Sequence, residues 1–378
     1  MKYLVIGAGA AGISGVKEIL KNRDEDDKIT VITEEDYPFY YRPRLIEYLS
    51  GEVGQEEIII NDKEWFENKG IDIHLSERVT ELDFDHKKVI SDKNTYRYDK
   101  LLLANGAHSF KPPIKGVEKR NVFTLRNLSD AKKITKKSQK AEKAVVVGGG
   151  LLGVESASNL KKAGLDVTVV ERSEWCLNKQ LDEKGGKLLI EILEREKGLS
   201  FALDATTEEF LGDDKVKAVL MGDGDKLETD LVLLSTGVRS NIELFEDTNL
   251  EIKRAVNVNE YMETNLEDVY AAGDIAEYNG NFYGIWLPSM KMGQTAGKNM
   301  SGAIHEFTGV VPSHTLKVAG VNVVSAGNLD PDNKLDHLIE EKERGYKRVV
   351  RNKEGKAVGL IIVGQFEDQD KLLAEVKG

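Results

Sequence analysis

Apolar positions along the chain fall into two long-range copies of one pattern. In the first, an apolar run from Tyr3 to Ile6 is followed by glycines at 7, 9 and 12. Ile13, Val16, Ile19 and Leu20 then recur at helical spacing, and a second apolar run, Ile29 to Thr33, ends at Glu34. The order returns with Ala144 to Val147, Gly148, Gly150 and Gly153, a helical stretch closed by Gly164, and a run from Val167 to Val170 that ends at Glu171. Short continuous apolar runs predict strands covered on both faces, and spacing of three and four predicts a helix lying on them. Each copy is therefore expected to be strand, GxGxxG, helix, strand, acid. The acid follows the third glycine by 22 residues in the first copy and by 18 in the second.

From Val311 the pattern changes. Residues 316–325 and 347–351 alternate like strands, and Asn352 to Gly355 is a hairpin signal whose partner strand is Ala357 to Val363. The predicted fold class is α/β: two Rossmann-like three-layer domains and a small C-terminal α+β domain. Residues 1–112 and 242–308 are expected to form one discontinuous domain, 113–241 a domain inserted into it, and 309–378 the small one. Pro112 and Pro113 suit the crossing segment, because the residue before a proline is held extended.

The repeated unit carries its own chemistry. The first glycine permits a tight turn, the second lets backbone approach a pyrophosphate, and the third lets helix pack on strand. Free N–H groups at the helix start receive the phosphates, and the terminal acid accepts ribose hydroxyls. One such motif is weak evidence. Two, each with both strands and an acid, point to two dinucleotides in one chain. A flavin with a nicotinamide is the natural pair, since hydride passes between them. Farther along, Ala272-Gly273-Asp274 follows a short apolar run, and Asp274 has a bland alternative as the N-cap of a following helix.

Composition narrows the class. Hydrophobic residues at 40% suit a globular chain, and a net charge of −12 argues against nucleic acid as a partner. Cys176 is the single cysteine, so no internal disulfide or dithiol pair exists and a reducing, cytoplasmic setting is expected. The first strand-like run starts at Tyr3, which is expected to leave no room for a signal peptide, and no apolar run is long enough to predict a membrane span. The six histidines show no ligand spacing, so no metal is expected. The lysine-rich stretch 132–143 reads as a solvated helix face or a docking patch for an acidic carrier.

The chain resembles the FAD-dependent pyridine nucleotide-disulfide oxidoreductase superfamily, and within it the NAD(P)H:rubredoxin oxidoreductase branch, which lacks the redox disulfide. The resemblance runs from residue 1 to about residue 364. It rests on the paired glycine units, residues 98–106 and 230–239, Ala272-Gly273-Asp274, and above all Tyr40-Tyr41-Arg42-Pro43-Arg44-Leu45. It implies FAD at the first unit, on Gly7, Gly9, Gly12, Glu34, Glu35, Arg42, Ala104, Gly106, Gly273 and Asp274. It also implies that Met292-Gly293 opens a helix whose N-terminus faces the flavin pyrimidine edge. The turn at Ala104-Asn105-Gly106 departs from the family's usual Ala-Thr-Gly, with little change expected. The nicotinamide would lie on Gly148, Gly150, Gly153, Glu171 and Gly237. Glu171 favours NADH, while Arg172 and Lys179 leave NADPH open.

The family's redox cysteine would fall near Arg44, where this chain has none, so thiol-dependent reductase and peroxidase chemistry is not expected. A lysine of the ring-hydroxylating ferredoxin reductases is replaced by Glu47. Arg44 has two readings, a partner of flavin or Glu155 and a surface ion pair. Glu155 is a nicotinamide-pocket candidate or an ordinary first-turn carboxylate. Trp286 stacks near the flavin or simply packs. The leading expectation is NADH oxidation through FAD, with single electrons passed to rubredoxin or a similar small carrier. An oxidase or flavin reductase, a ferredoxin reductase and an NADH-binding redox sensor are the rivals.

Overall fold

The structure is a computed structural model that describes residues 1–311, 313–318 and 320–378. Two five-stranded sheets are wholly parallel. The first runs in the order Val269–Ala271, Lys100–Leu103, Lys2–Ile6, Lys28–Ile32, Ile71–His74. The second runs Ser200–Ala202, Asp166–Val170, Lys143–Val147, Leu231–Leu234, Val122–Thr124. The central strands are buried along nearly their whole length, as continuous apolar runs require. Each Val, Ile or Leu so covered contributes about 1.5–3 kcal/mol.

The helix Ala10–Asn22 packs against the helix Trp286–Met300 at backbone contact. A Cβ on Gly293 would lie 2.1 Å from the Ala11 carbonyl oxygen, and one on Gly297 would lie 2.3 Å from that of Gly15. Glycines are needed there so that the two helices can touch. This corrects the expectation for Met292 and Gly293. The helix opens six residues earlier, at Trp286; Met292 is a buried core residue, and Gly293 serves helix packing.

A third sheet is antiparallel, in the order Ser313–Val318, Val321–Gly327, Ala357–Val363, Gly345–Arg351, Asp336–Lys342. The run 316–325 is two strands rather than one, because the chain turns at Gly320 with φ +85°. One face joins the core of the second parallel sheet through Val323, Tyr346, Ile361 and Val363. The other is covered by the helix Gln369–Lys377 through Leu372 and Val376. Asp182, the N-cap of the helix Glu183–Lys197, ties this sheet down by accepting from the Tyr346 hydroxyl at 2.5 Å and from Arg348 at 3.1 Å. No helix among the described residues is long and apolar enough to cross a membrane.

Candidate functional site

The two glycine turns share one steric logic. In the first, Gly7 has φ +105°, and a Cβ on it would meet the Ala104 carbonyl oxygen at 2.2 Å. A Cβ on Gly12 would meet the Gly7 carbonyl oxygen at 2.0 Å, whereas one on Gly9 would meet nothing within 4 Å. In the second, Gly148 has φ +113° and Ser235 oxygen at 2.3 Å, Gly153 meets Gly148 oxygen at 1.9 Å, and Gly150 is open. The outer glycines are forced by the fold, and the middle one keeps a face free for a ligand.

A cavity of about 1050 Å³ runs along the first turn. Gly7, Gly9, Glu34, Glu35, Arg42, Ala104, Gly106, Gly273, Asp274 and Glu155 line it. Gly12 lies behind the turn, and Gly148, Gly150, Gly153, Glu171 and Gly237 lie outside this cavity, on the second turn and the strand end beside it. Asp274 caps no helix; the chain continues into the strand Ala276–Tyr278. Its carboxylate instead accepts from Arg126 at 2.8 Å.

Arg126 was not legible in the sequence. It follows the edge strand Val122–Thr124 of the second sheet and reaches into the cavity of the first. Its Nε is buried without a partner, as is Asn105 Oδ1. Asn105 does more than tolerate its turn: its amide and that of Asn241 donate to each other's backbone carbonyls at 3.0 and 2.7 Å. A cavity lined by an orphaned donor, an orphaned acceptor and a glycine-rich turn fits a large polar ligand such as FAD. Glu77, Arg78, Val79 and Thr80 extend the lining beyond Glu34 and were also missed.

Arg42 donates to Glu35 at 2.6 Å, and Glu35 also accepts from Tyr40, whose phenol burial pushes up. Trp286 packs and lines the cavity at once: it stacks on Phe39 at 5.8 Å and meets Tyr41 edge-on at 5.1 Å. Arg44 takes the surface reading. Its Nε donates to Glu47 at 2.7 Å, it does not line the cavity, and it forms no ion pair with Glu155. Burial pushes the Glu155 carboxyl up to about 7, with Glu47 adding repulsion.

In the second turn, Glu171 is held by two backbone donors, Gly149 at 2.6 Å and Ser173 at 2.9 Å. Strand register shows that the acids of the two copies are not equivalent. Gly7 donates to Ile32, and Gly148 donates to Val170, so Thr33 matches Glu171 and Glu34 lies one residue past it. Cys176 lies buried under Gly149, where a Cβ would come within 2.7 Å of its sulfur. Burial and the nearby Glu171 push its thiol up to about 12, so it stays protonated. On the lysine-rich helix Leu128–Ser138, Lys133 and Lys136 are exposed, while Lys132 bonds to Tyr37.

Residues 1–306 match the family model described as pyridine nucleotide-disulphide oxidoreductase, and 312–377 match the rubredoxin NAD+ reductase C-terminal domain. The chain belongs to the pyridine nucleotide-disulphide oxidoreductase family. It is 34% identical over 375 residues to the assimilatory nitrate reductase electron transfer subunit of Bacillus subtilis, covering 98% of this chain and 48% of that protein. It is 32% identical over 372 residues to the NADH-rubredoxin oxidoreductase of Clostridium acetobutylicum, covering 98% and 93%. The crystal structure of NADH:rubredoxin oxidoreductase from that organism superposes with a TM-score of 0.86 at 30% identity, over 99% of this chain and 94% of that one. The chain spans about half the length of the Bacillus subtilis relatives it matches. Other relatives at similar identity are named NADH oxidase, among them one of Methanocaldococcus jannaschii at 32% over 96% of this chain and 88% of that protein.

Proposed function

We propose that this chain oxidises NADH and passes single electrons to rubredoxin or a carrier of similar size in the cytoplasm. The observation that carries the dinucleotide half is Glu171, fixed by Gly149 and Ser173 at the second turn. A carboxylate so held accepts both ribose hydroxyls of NADH and repels a 2′-phosphate. The carrier half is supported by the match of residues 312–377 and by the Clostridium acetobutylicum relative.

In this reading residues 1–112 with 242–308 hold FAD, 113–241 hold NADH, and 309–378 form the small domain. Gly7, Gly9 and Gly12 shape the pyrophosphate turn. Glu34 and Glu35 serve the adenosine end, and Arg42, Ala104, Gly106, Gly273 and Asp274 line the rest. Gly148, Gly150, Gly153 and Gly237 shape the NADH turn. Bound flavin supplies a hydride acceptor that releases electrons singly. The protein binds, orients and excludes water, and no side chain is required to move the hydride.

An acceptor panel tests this. Fast NADH-dependent bleaching of purified rubredoxin with slow oxygen uptake is the expected result. Rapid oxygen consumption with idle rubredoxin makes the chain an oxidase, and a long-lived reduced state with every acceptor makes it a sensor.

A further inference from the structure

A second cavity, of about 730 Å³, opens along the later turns of the helix Ala10–Asn22 and shares no lining residue with the larger one. The short helix Lys63–Asn68 and the helix Trp286–Met300 contribute Trp65 and Met290 to its walls. Phe39 lines this cavity and stacks on Trp286, which lines the larger one.

The chain carries a net charge of −12, yet this lining collects Lys17, Lys21, Arg23 and Lys69 against a single acid among the described residues. That acid, Glu18, is taken by Lys21 at 2.7 Å. Arg23 donates to the Lys69 carbonyl at 2.8 Å, which orients its guanidinium and leaves it further donors. Lys17 is the cation that the fold leaves unanswered. It is half-buried, no carboxylate among the described residues pairs with it, and burial pulls its pKa down. A lysine with only packing to do carries its ammonium out to water. Here Nζ lies over the rings of Phe39 and Trp65, 5.4 and 5.5 Å from their centroids. Ring faces answer an ammonium less fully than a carboxylate or phosphate does.

Cavities that take small molecules combine an apolar body with a few fixed polar groups, in about 300–1,000 Å³. Leu20, Phe39, Trp65 and Met290 supply the apolar body, and Lys17, Asn68 and Gln294 supply donors. We propose that this cavity binds an aromatic carboxylate or phosphate, its anionic head on Lys17 and its ring against Trp65. The head answers the unpaired ammonium, and the ring covers aromatic surface that water now touches. An acidic side chain reaching in from a partner protein would meet the charge but leave most of the volume empty, so the cavity suits a small molecule better. The site does not depend on the electron acceptor or on which glycine turn holds which dinucleotide.

The test uses FAD-loaded protein, so that the larger cavity is filled. Calorimetry compares naphthoate, naphthyl phosphate and neutral naphthamide. One or both anions are expected to bind, with the amide weaker by about tenfold or more. Lys17→Met, which keeps the apolar stem, should weaken the anion by a similar factor, while Lys226→Gln, an equal charge change elsewhere on the surface, should not. In the parent protein, nuclear Overhauser contacts should join the naphthalene protons to the Trp65 indole, a readout that needs no variant to fold. Equal binding of anion and amide, binding indifferent to Lys17→Met, or displacement of the anion by NAD+ overturns the proposal. So does failure of both anions to bind at millimolar concentration. A rubredoxin that binds through Lys17 while both anions fail makes the cavity a protein contact and overturns it as well.

Discussion

In the first turn Gly7 is pressed against Ala104, and in the second Gly148 is pressed against Ser235, at 2.2 and 2.3 Å from a would-be Cβ. Around those matching turns the surroundings diverge. The first faces a cavity of about 1050 Å³ walled by residues from several separate stretches, including Arg126, Asp274 and Trp286. The second lies outside that cavity and carries a single rigid acid, Glu171, at the position that Thr33 takes in the first. A ligand enclosed by several chain segments leaves slowly, because those segments must part; one held at an exposed turn exchanges. The difference suits one retained and one diffusible dinucleotide.

The sharpest break in the comparison comes from the first glycines. Gly7→Ala must move the Ala104 backbone and adopt an unfavourable φ, so loss of bound flavin and a stability loss of about 2–3 kcal/mol are expected. Gly148→Ala carries the same strain but should retain yellow flavin while losing NADH-dependent reduction. Absorbance spectra and thermal melts of both variants check this, and flavin loss from both would erase the distinction. Next in size, Glu171→Ala removes two charge-assisted ribose contacts, expected to weaken NADH about 10- to 100-fold with flavin content unchanged. Stopped-flow reduction across NADH concentrations measures it. Arg126→Ala should act in the opposite sense, raising flavin dissociation while sparing NADH affinity. It leaves the partly buried Asp274 carboxylate short of a donor, at about 1–3 kcal/mol.

The glycine turns were legible because sterics leave only glycine at four of those positions, whatever else the chain does. The paired parallel sheets followed from the same pattern, since buried strands read as unbroken apolar runs. Arg126 was illegible because its partner Asp274 lies 148 residues away and nothing in the local sequence announces the pairing. Pro288, in the first turn of the Trp286 helix, is a recognised helix-start signal, so the true start of that helix was legible six residues before Met292. The offset between Glu34 and Glu171 needed strand register, because the spacings of 22 and 18 residues absorb connections of different length.

A smaller effect sharpens the comparison through pH. The Glu155 carboxyl is raised to about 7 in the folded chain, mainly by burial and then by Glu47, against an ordinary value of 4.5. Between those values the native state binds more protons than the unfolded one. Stability from this group is therefore present at low pH and lost as pH rises through 7. Glu155→Gln removes that loss, so the variant should be more stable than the parent at pH 8, on the order of 1–2 kcal/mol, and nearly equal at pH 5. Urea melts at the two pH values read the difference directly.

The smallest expected effect is at Cys176. Its sulfur is buried beneath Gly149, and its thiol stays protonated at neutral pH. Alkylating agents need an exposed thiolate. Iodoacetamide should therefore leave folded protein unlabelled and NADH oxidation intact, while urea-unfolded protein takes up one label. Labelling of the folded chain in step with lost activity would mean that the second turn opens far enough to expose its floor. The second turn would then be mobile rather than rigid, and its contrast with the first cavity would have to be redrawn.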